Sequence, residues 1–461
     1  MEKAVNLNDV SKVIAQDSLE PGNEFYADLS KSRSTRELKL LRAYLENSAR
    51  NDVPACAAFI GHRGSGKSTE LKRLEGDLAG EFTPVHLAVD NSLTQDCDYT
   101  DLLLWLVDSI FGHFEKNNLP LDAGKVKAVA DWFAEQTVEE SEELKKEIEL
   151  ETEASMSSKA GANFGIFAYG LKLLARLKAR VVGNQTHRKI ARQKLQNYSD
   201  ELIRRVNELL DHGREVLASS GRPGRILIVQ DNLDRLGREA ALRLFRDNGF
   251  ILKQIEADCI WTAPITCNLA PFGIQNLFEH VFTMPTVKVH DRDGKPVSAG
   301  IDGLVDLVDK RMDINAVFTR RDVVAYLARM SGGSVRDLLR LLSSAQLAAQ
   351  VDRKEKMDED SAKEAVNKLR IDFQGLFVPA DAYYPLLASV AKTKLDGVTT
   401  ASASPEQATN NRAFFAELLV NGSVLEYNGD ERWFDVHPVV LEIDAFKNAS
   451  NAAKRKKPSR K

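Results

Sequence analysis

Gly61, Gly66, Lys67 and Ser68 stand in the order Gly-x4-Gly-Lys-Ser, a spacing suited to holding a phosphate. The glycines, with Gly64 between them, let the backbone wrap an anion. The N–H groups of Ser65, Gly66, Lys67, Ser68 and Thr69 then point at it from the positive end of a helix. The Lys67 ammonium is long enough to reach the β- and γ-phosphates, and the Ser68 hydroxyl suits Mg²⁺. The usual partner of such a loop is an acid at the end of a buried strand, which helps to hold the metal. Asp231, after Ile226-Leu227-Ile228-Val229-Gln230, is the best candidate. The plain alternatives are a flexible glycine turn and a solvated strand-end acid, and the segments flanking both motifs argue against them.

Those segments have the right character. Ala55-Cys56-Ala57-Ala58-Phe59-Ile60 reads as a strand entering the loop, and Leu71, Leu74 and Leu78 leave it at helical spacing. Further strands are expected at Thr83–Val89, Arg225–Asp231 and Cys259–Thr266, the last losing regular pairing near Ala263 because Pro264 cannot donate to a ladder. A strongly apolar helix lies between the second and third, with Leu102, Leu103, Leu104, Trp105, Leu106, Val107, Ile110 and Phe111. Strands alternating with helices predict an α/β fold with a parallel sheet.

Around this core the chain divides by pattern. Residues 1–53 read as an N-terminal segment, a loop and then a helix through Leu38, Leu41, Tyr44 and Leu45; residues 54–299 form the core. Within the core, about 120–215 is a helical insertion. Residues 135–153 hold nine Glu and two Lys, whereas 172–194 hold eight Lys or Arg and no acid. Pairing of these blocks in a helical hairpin on the sheet is the expectation; a contact for a protein, membrane surface or nucleic acid is the alternative. Residues 300–372 are helical, and 373–446 form a smaller unit. That unit closes with two strand-like runs, Val424–Tyr427 and Arg432–Val436, around Asn428-Gly429-Asp430. Residues 447–461 form a basic tail, expected to be disordered from Lys454 onward.

Composition excludes several classes. The 461 residues are 43% hydrophobic and 28% charged with a net charge of -4, so there is no global cationic field and any nucleic-acid contact must be local. Cys56, Cys97, Cys259 and Cys267 make no CxxC pair, which points to a reducing, cytoplasmic setting, and no His, Cys and acid spacing suggests zinc. No secretory signal is expected at the start. The longest apolar run, Phe164–Leu177, is short and carries Lys172 and Arg176, so no membrane span is expected.

Gly61-His62-Arg63-Gly64-Ser65-Gly66-Lys67-Ser68 together with Gln230-Asp231-Asn232-Leu233-Asp234-Arg235 resembles the P-loop ATPases of the AAA+/STAND group, including origin-initiator-like and KAP-like branches. Gly332-Gly333-Ser334-Val335-Arg336-Asp337-Leu338-Leu339 resembles the start of the lid helix that carries the sensor-2 arginine, and the last unit looks like a winged helix. The resemblance covers about 55–446 apart from the insertion. It implies ATP and Mg²⁺ as cofactors, Arg336 as a γ-phosphate contact, and a sensor-1 residue near the end of the fourth strand, where Thr262 and Thr266 both qualify. Where the family usually has Glu or Asp after the metal acid, this chain has Asn232, which cannot act as a general base. The resemblance therefore implies slow hydrolysis, or a base role for Asp234. Arg235 and Arg238 are finger candidates for a neighbouring subunit, although ordinary surface arginines are the simpler reading. The Asn411–Leu419 helix carries few basic residues and many apolar ones, which favours a protein partner or self-assembly over DNA. The expected function is an ATP-driven molecular switch, of signalling or phage-defence type; the alternative is a DNA-acting ATPase of initiator or loader type.

Overall fold

The computed structural model describes residues 2–33, 36–89, 94–119, 121–137, 141–155, 162–269, 272–378, 380–398, 404–427 and 432–455. The chain forms two compact units. One comprises Met1–Lys39, Gly61–Arg73 and Thr283–Lys461, the other Leu40–Ile60 and Leu74–Phe282.

The second unit is built on the sheet. Strands β1 (Cys56–Gly61), β2 (Thr83–Ala88), β3 (Ile226–Asp231), β4 (Asp258–Ala263) and β5 (His280–Met284) lie in the order β2-β3-β4-β1-β5. The pairings β2 with β3, β3 with β4 and β4 with β1 are parallel. Every residue of β3 and β4 is buried, as expected for central strands covered on both faces, whereas β2 alternates buried with more exposed positions. That edge position also accommodates Pro84, which cannot donate to a ladder. β4 stops at Ala263, immediately before Pro264, as expected. β5 was not anticipated, because its five residues have neither a bounding glycine turn nor a long apolar run.

The register fixes what the sheet's carboxyl edge presents. Gln230 pairs with Trp261, which pairs with Ala58, so Asp231 ends β3 two positions short of the level at which β1 runs out past Ile60.

The helical insertion is not a hairpin. Among the described residues it forms five helices, Ala123–Thr137, Ser141–Ser155, Ala162–Gly183, Gln185–Asn197 and Ser199–Ser219. Its two charge blocks meet at Arg176 and Glu151, 2.9 Å apart. Lys178 instead pairs with Asp108 at 2.7 Å, and Arg192 with Asp96 at 2.8 Å and Asp101 at 2.6 Å. The cations are recruited by acids on the apolar helix Tyr99–Lys116 and just before it, because desolvating that helix against the insertion leaves its carboxylates in need of partners. Ala160 and Gly161 of the glycine-rich run lie outside the described residues. Among the described residues no helix is long and apolar enough to cross a membrane.

The first unit is mainly helical. Ser298–Arg311, Arg321–Met330, Val335–Val351 and Glu359–Gln374 form its helical layer, the third started by Ser334, whose hydroxyl accepts the Asp337 N–H at 3.2 Å. Among the described residues Ala380–Thr393 and Pro405–Val420 follow, then the antiparallel hairpin of β6 (Val424–Tyr427) and β7 (Trp433–Val436). Tyr427 and Trp433 stack across the hairpin at 4.5 Å between ring centroids. The turn at Asn428-Gly429-Asp430 lies outside the described residues.

Two expectations need correction here. Short helices at Leu7–Val13 and Ser30–Arg33 interrupt the N-terminal loop, and Gln346 Nε2 donates to the Leu7 carbonyl at 2.7 Å. At the other end, the helix Asp444–Arg455 buries Phe446 and continues into the stretch expected to be disordered; Lys456–Lys461 lie outside the described residues.

Candidate functional site

Gly61–Thr69 joins β1 to the helix Lys67–Leu78, which starts on the lysine. Its first-turn N–H groups have no intrahelical carbonyl to meet, which is the physical basis of an anion site there. Within the loop, the Ser65 N–H closes a turn on the His62 carbonyl at 3.1 Å. Lys67 is only 4% exposed and is folded back on its own loop, its ammonium donating to the Gly61 and His62 carbonyls at 2.9 Å each.

Gly64 explains why the loop needs a glycine at that position. Its φ is +84°, and a Cβ there would lie 2.5 Å from the Cβ of Arg336. The Arg336 N–H donates to the Gly64 carbonyl at 3.3 Å, so the first turn of Val335–Val351 lies directly against the loop. The sensor-2 candidate and the phosphate loop, remote in sequence, are brought together. Gly64→Ala is expected to lower nucleotide affinity by at least about tenfold, because both backbone strain and the Arg336 contact oppose the closed loop. Titration with a fluorescent ATP analogue measures this, and an unchanged affinity would contradict it.

A residue that sequence reasoning missed supports the loop from behind. Arg33 is 2% exposed; its Nη2 donates to the Ser65 carbonyl at 2.6 Å, and Nη1 lies 3.5 Å from Glu70 Oε1. Burial pushes the Glu70 carboxyl up, opposed by Arg33 and then Arg73. Tyr26 donates its hydroxyl to Glu70 at 3.3 Å, and burial raises that phenol to about 12. Thr69 is occupied as well, its hydroxyl accepting the Leu19 N–H at 3.2 Å.

His62 is also more than loop filler. Its ring is buried, and Nε2 accepts the backbone N–H of Glu426 in β6 at 2.7 Å. Burial, then the nearby Lys67 ammonium and Arg432, hold its pKa down to about 3. A histidine that titrates at 6.5 when unfolded and near 3 when folded takes up its proton on unfolding. Its stability contribution is therefore complete above about pH 6.5 and is lost as pH falls toward 3. By pH 5 the loss is about 2 kcal/mol. Urea denaturation at pH 7.5 and pH 5 is expected to show this, with a shallower slope in His62→Gln; equal slopes would refute the assignment. Buried His437 is lowered in the same direction and accounts for a residual slope.

The other predicted site residues lie in the sheet-bearing unit. Asp231 is buried at the end of β3, and its Oδ1 accepts the Asn232 N–H at 2.7 Å. Asn232 has φ +65° and turns the chain into the short helical turn Leu233–Arg235, which holds Asp234. Thr262 is buried and fully engaged, donating to the Gln230 carbonyl at 3.1 Å and accepting the Leu233 N–H at 3.0 Å. Thr266 stands beyond the strand, in the turn Ile265–Asn268. Arg235 is half-buried and Arg238 exposed. His86, also missed, lies on β2 with Nδ1 2.6 Å from Glu75 and Nε2 3.8 Å from the Asp231 carboxylate. Alternating strands hide such a pair from sequence reading, since His86 looks like any outward-facing edge residue.

The core is an α/β sheet in which β1 enters the Gly61–Thr69 loop and the helix Lys67–Leu78 leaves it. In a search of solved structures the chain is similar to Cdc6p from Pyrobaculum aerophilum, at 12% identity and TM-score 0.38 over 96% of this chain and 98% of that one. It is also similar to a Walker-type ATPase of Pyrococcus abyssi, at 13% identity and TM-score 0.46 over 94% and 99%. A third is the Aeropyrum pernix ORC1 protein in complex with DNA, at 14% identity and TM-score 0.34 over 95% and 94%. No protein-family model and no curated protein sequence matches the chain.

Proposed function

We propose that this chain is a P-loop ATPase that works as a switch, binding MgATP on Gly61–Thr69 and relaying its state to the lid helix and the C-terminal hairpin. The observation that carries the reading is the loop itself. A strand enters it, a helix leaves it on Lys67, and Arg336 packs on Gly64. In this reading Lys67 turns from the loop carbonyls to the β- and γ-phosphates, and Arg336 acts on the γ-phosphate. Ser68 and Asp231 are the proposed Mg²⁺ ligands. Mg²⁺ is commonly held by one or two carboxylates plus substrate phosphates and water, so the buried Asp231 carboxylate suits it without an acid cluster. Among the described residues there is no group of three or more His, Cys, Asp or Glu that would hold a metal by itself.

Asn232 supports slow turnover, since an amide cannot take the proton of the attacking water, and Asp234 is the nearest alternative base in sequence. We assign the core to 54–299, the lid to 300–372 and the winged helix to 373–446, in a cytoplasmic protein acting with a protein partner or further copies of itself. A second reading, a DNA-acting ATPase of initiator or loader type, is favoured by the helix–helix–hairpin order of the C-terminal segment. Steady-state ATP turnover with and without duplex DNA, with Lys67→Ala as blank, tests both. Turnover stimulated by DNA supports the second reading, a slow DNA-indifferent rate supports the signalling switch, and a rate equal to the blank overturns the ATPase itself.

A further inference from the structure

The hairpin of β6 and β7 has two strands, so the outer edge of β6 exposes backbone groups that must find partners elsewhere. Glu426 shows where they go. Its N–H donates to His62 Nε2 at 2.7 Å, and its carbonyl accepts the Thr286 N–H at 3.3 Å. A residue inside the phosphate loop therefore caps the edge of a hairpin 364 positions away in the chain.

The same residue carries a second bond of a different kind. The His62 carbonyl accepts the Lys67 ammonium at 2.9 Å, and that ammonium is the group the nucleotide reading sends to the phosphates. One residue thus bears, on its main chain, a bond to the ammonium for which bound phosphate would compete and, on its ring, the bond that seats the hairpin. Because the ring is buried and neutral, it keeps Nε2 as an acceptor while its other nitrogen faces the Leu419 backbone.

The hairpin also touches the lid. Tyr427 donates its hydroxyl to the Gly332 carbonyl at 2.6 Å, and a Cβ on Gly332 would lie 2.6 Å from Leu425. Four residues after Gly332, Arg336 donates its N–H to Gly64. Loop, hairpin and lid helix therefore close a ring of contacts, and a change at one member is felt at the others because packed contacts shift between discrete arrangements.

We infer that His62 couples occupancy of the phosphate loop to the seating of the C-terminal hairpin, so that bound nucleotide loosens the hairpin edge and a seated hairpin opposes nucleotide. The inference rests on the nucleotide-binding reading above. By linkage the effect is reciprocal: whatever holds the hairpin in place weakens nucleotide binding by the same factor by which nucleotide frees the hairpin. His62 is in this sense a positioning residue.

The test is hydrogen exchange on the full chain, read at the Glu426 amide with and without saturating ATPγS and Mg²⁺, with binding followed by calorimetry on the same samples. Nucleotide is expected to speed exchange at Glu426 by about tenfold or more in the wild type. His62→Leu removes the acceptor at similar volume, and its Glu426 amide is expected to exchange fast without nucleotide and not to respond. His62→Gln keeps an acceptor oxygen and is expected to restore the response, which a merely space-filling role would not require. If nucleotide binds and Glu426 exchange does not change, or if His62→Leu responds as the wild type does, the coupling is overturned while the nucleotide reading stands. If calorimetry shows no binding, both fall together.

Discussion

Lys67→Ala is expected to weaken MgATP binding by roughly 100-fold, about 3 kcal/mol, with a smaller loss of folding stability of about 2 kcal/mol. The asymmetry follows from where the ammonium sits. In the structure it donates to two carbonyls of its own loop, Gly61 and His62, bonds worth about 1 kcal/mol each in net terms. With nucleotide bound, its partner is instead a multiply charged phosphate in a water-poor loop, where an ammonium is worth several times more. Calorimetric titration with MgATP measures the loss, and thermal unfolding without nucleotide measures the stability. Equal affinities for the wild type and Lys67→Ala would remove the phosphate-loop reading. A variant that fails to fold would show instead that the back-folded lysine is itself a structural element.

Arg33→Met is expected to destabilise the chain by about 3 kcal/mol. Methionine keeps much of the volume, so the cost is electrostatic. Glu70 is left buried beside Tyr26 with Arg73 as its remaining cation, 3.8 Å away and 43% exposed, and the Ser65 carbonyl loses its 2.6 Å donor. A buried carboxylate stripped of its partner must either stay charged at high cost or take up a proton, and burial already pushes the Glu70 carboxyl up. The pair can be separated from the loop bond by a cycle. Arg33→Met with Glu70→Gln should recover more than half of the loss if the stranded charge dominates, and little if the Ser65 contact does. Urea denaturation of the four proteins at pH 7.5 supplies the numbers. A loss below about 1 kcal/mol for Arg33→Met would show that the buried pair contributes little.

The two substitutions test different layers of one loop. Lys67 acts on the ligand, whereas Arg33 holds the peptide groups that shape the cradle. If Arg33→Met weakens MgATP binding at temperatures where it remains folded, the support behind the loop contributes to ligand geometry as well as to stability.

Much of the candidate site was legible in the sequence because its signals are local. A run such as Ala57-Ala58-Phe59-Ile60 declares a buried strand, Gly64 and Gly66 declare backbone that L side chains avoid, and Leu71, Leu74 and Leu78 declare a helix face, all within about twenty residues. The same locality made β3, β4, the break at Pro264 and the C-terminal hairpin readable, and it placed Lys67, Ser68 and Asp231 as the residues to watch. β5 was invisible because five mixed residues form a strand only when β1 offers an edge. The partition of charge in the insertion was visible, but its pairing was not, since Lys178 and Arg192 are drawn to carboxylates on an element the charge pattern does not include.

Which remote residues serve the loop was settled only by packing. Arg33, His62 as a hairpin cap, and Arg336 packed on Gly64 depend on contacts spanning 32, 364 and about 270 positions. Such contacts have no periodicity, and their polar groups are forced together only when burial removes water as a competing partner. Local residue order was enough to place a phosphate loop between a strand and a helix. What grips that loop from outside came from the folded chain, because a buried hydrogen bond is chosen by whichever donor and acceptor the fold leaves with no other partner.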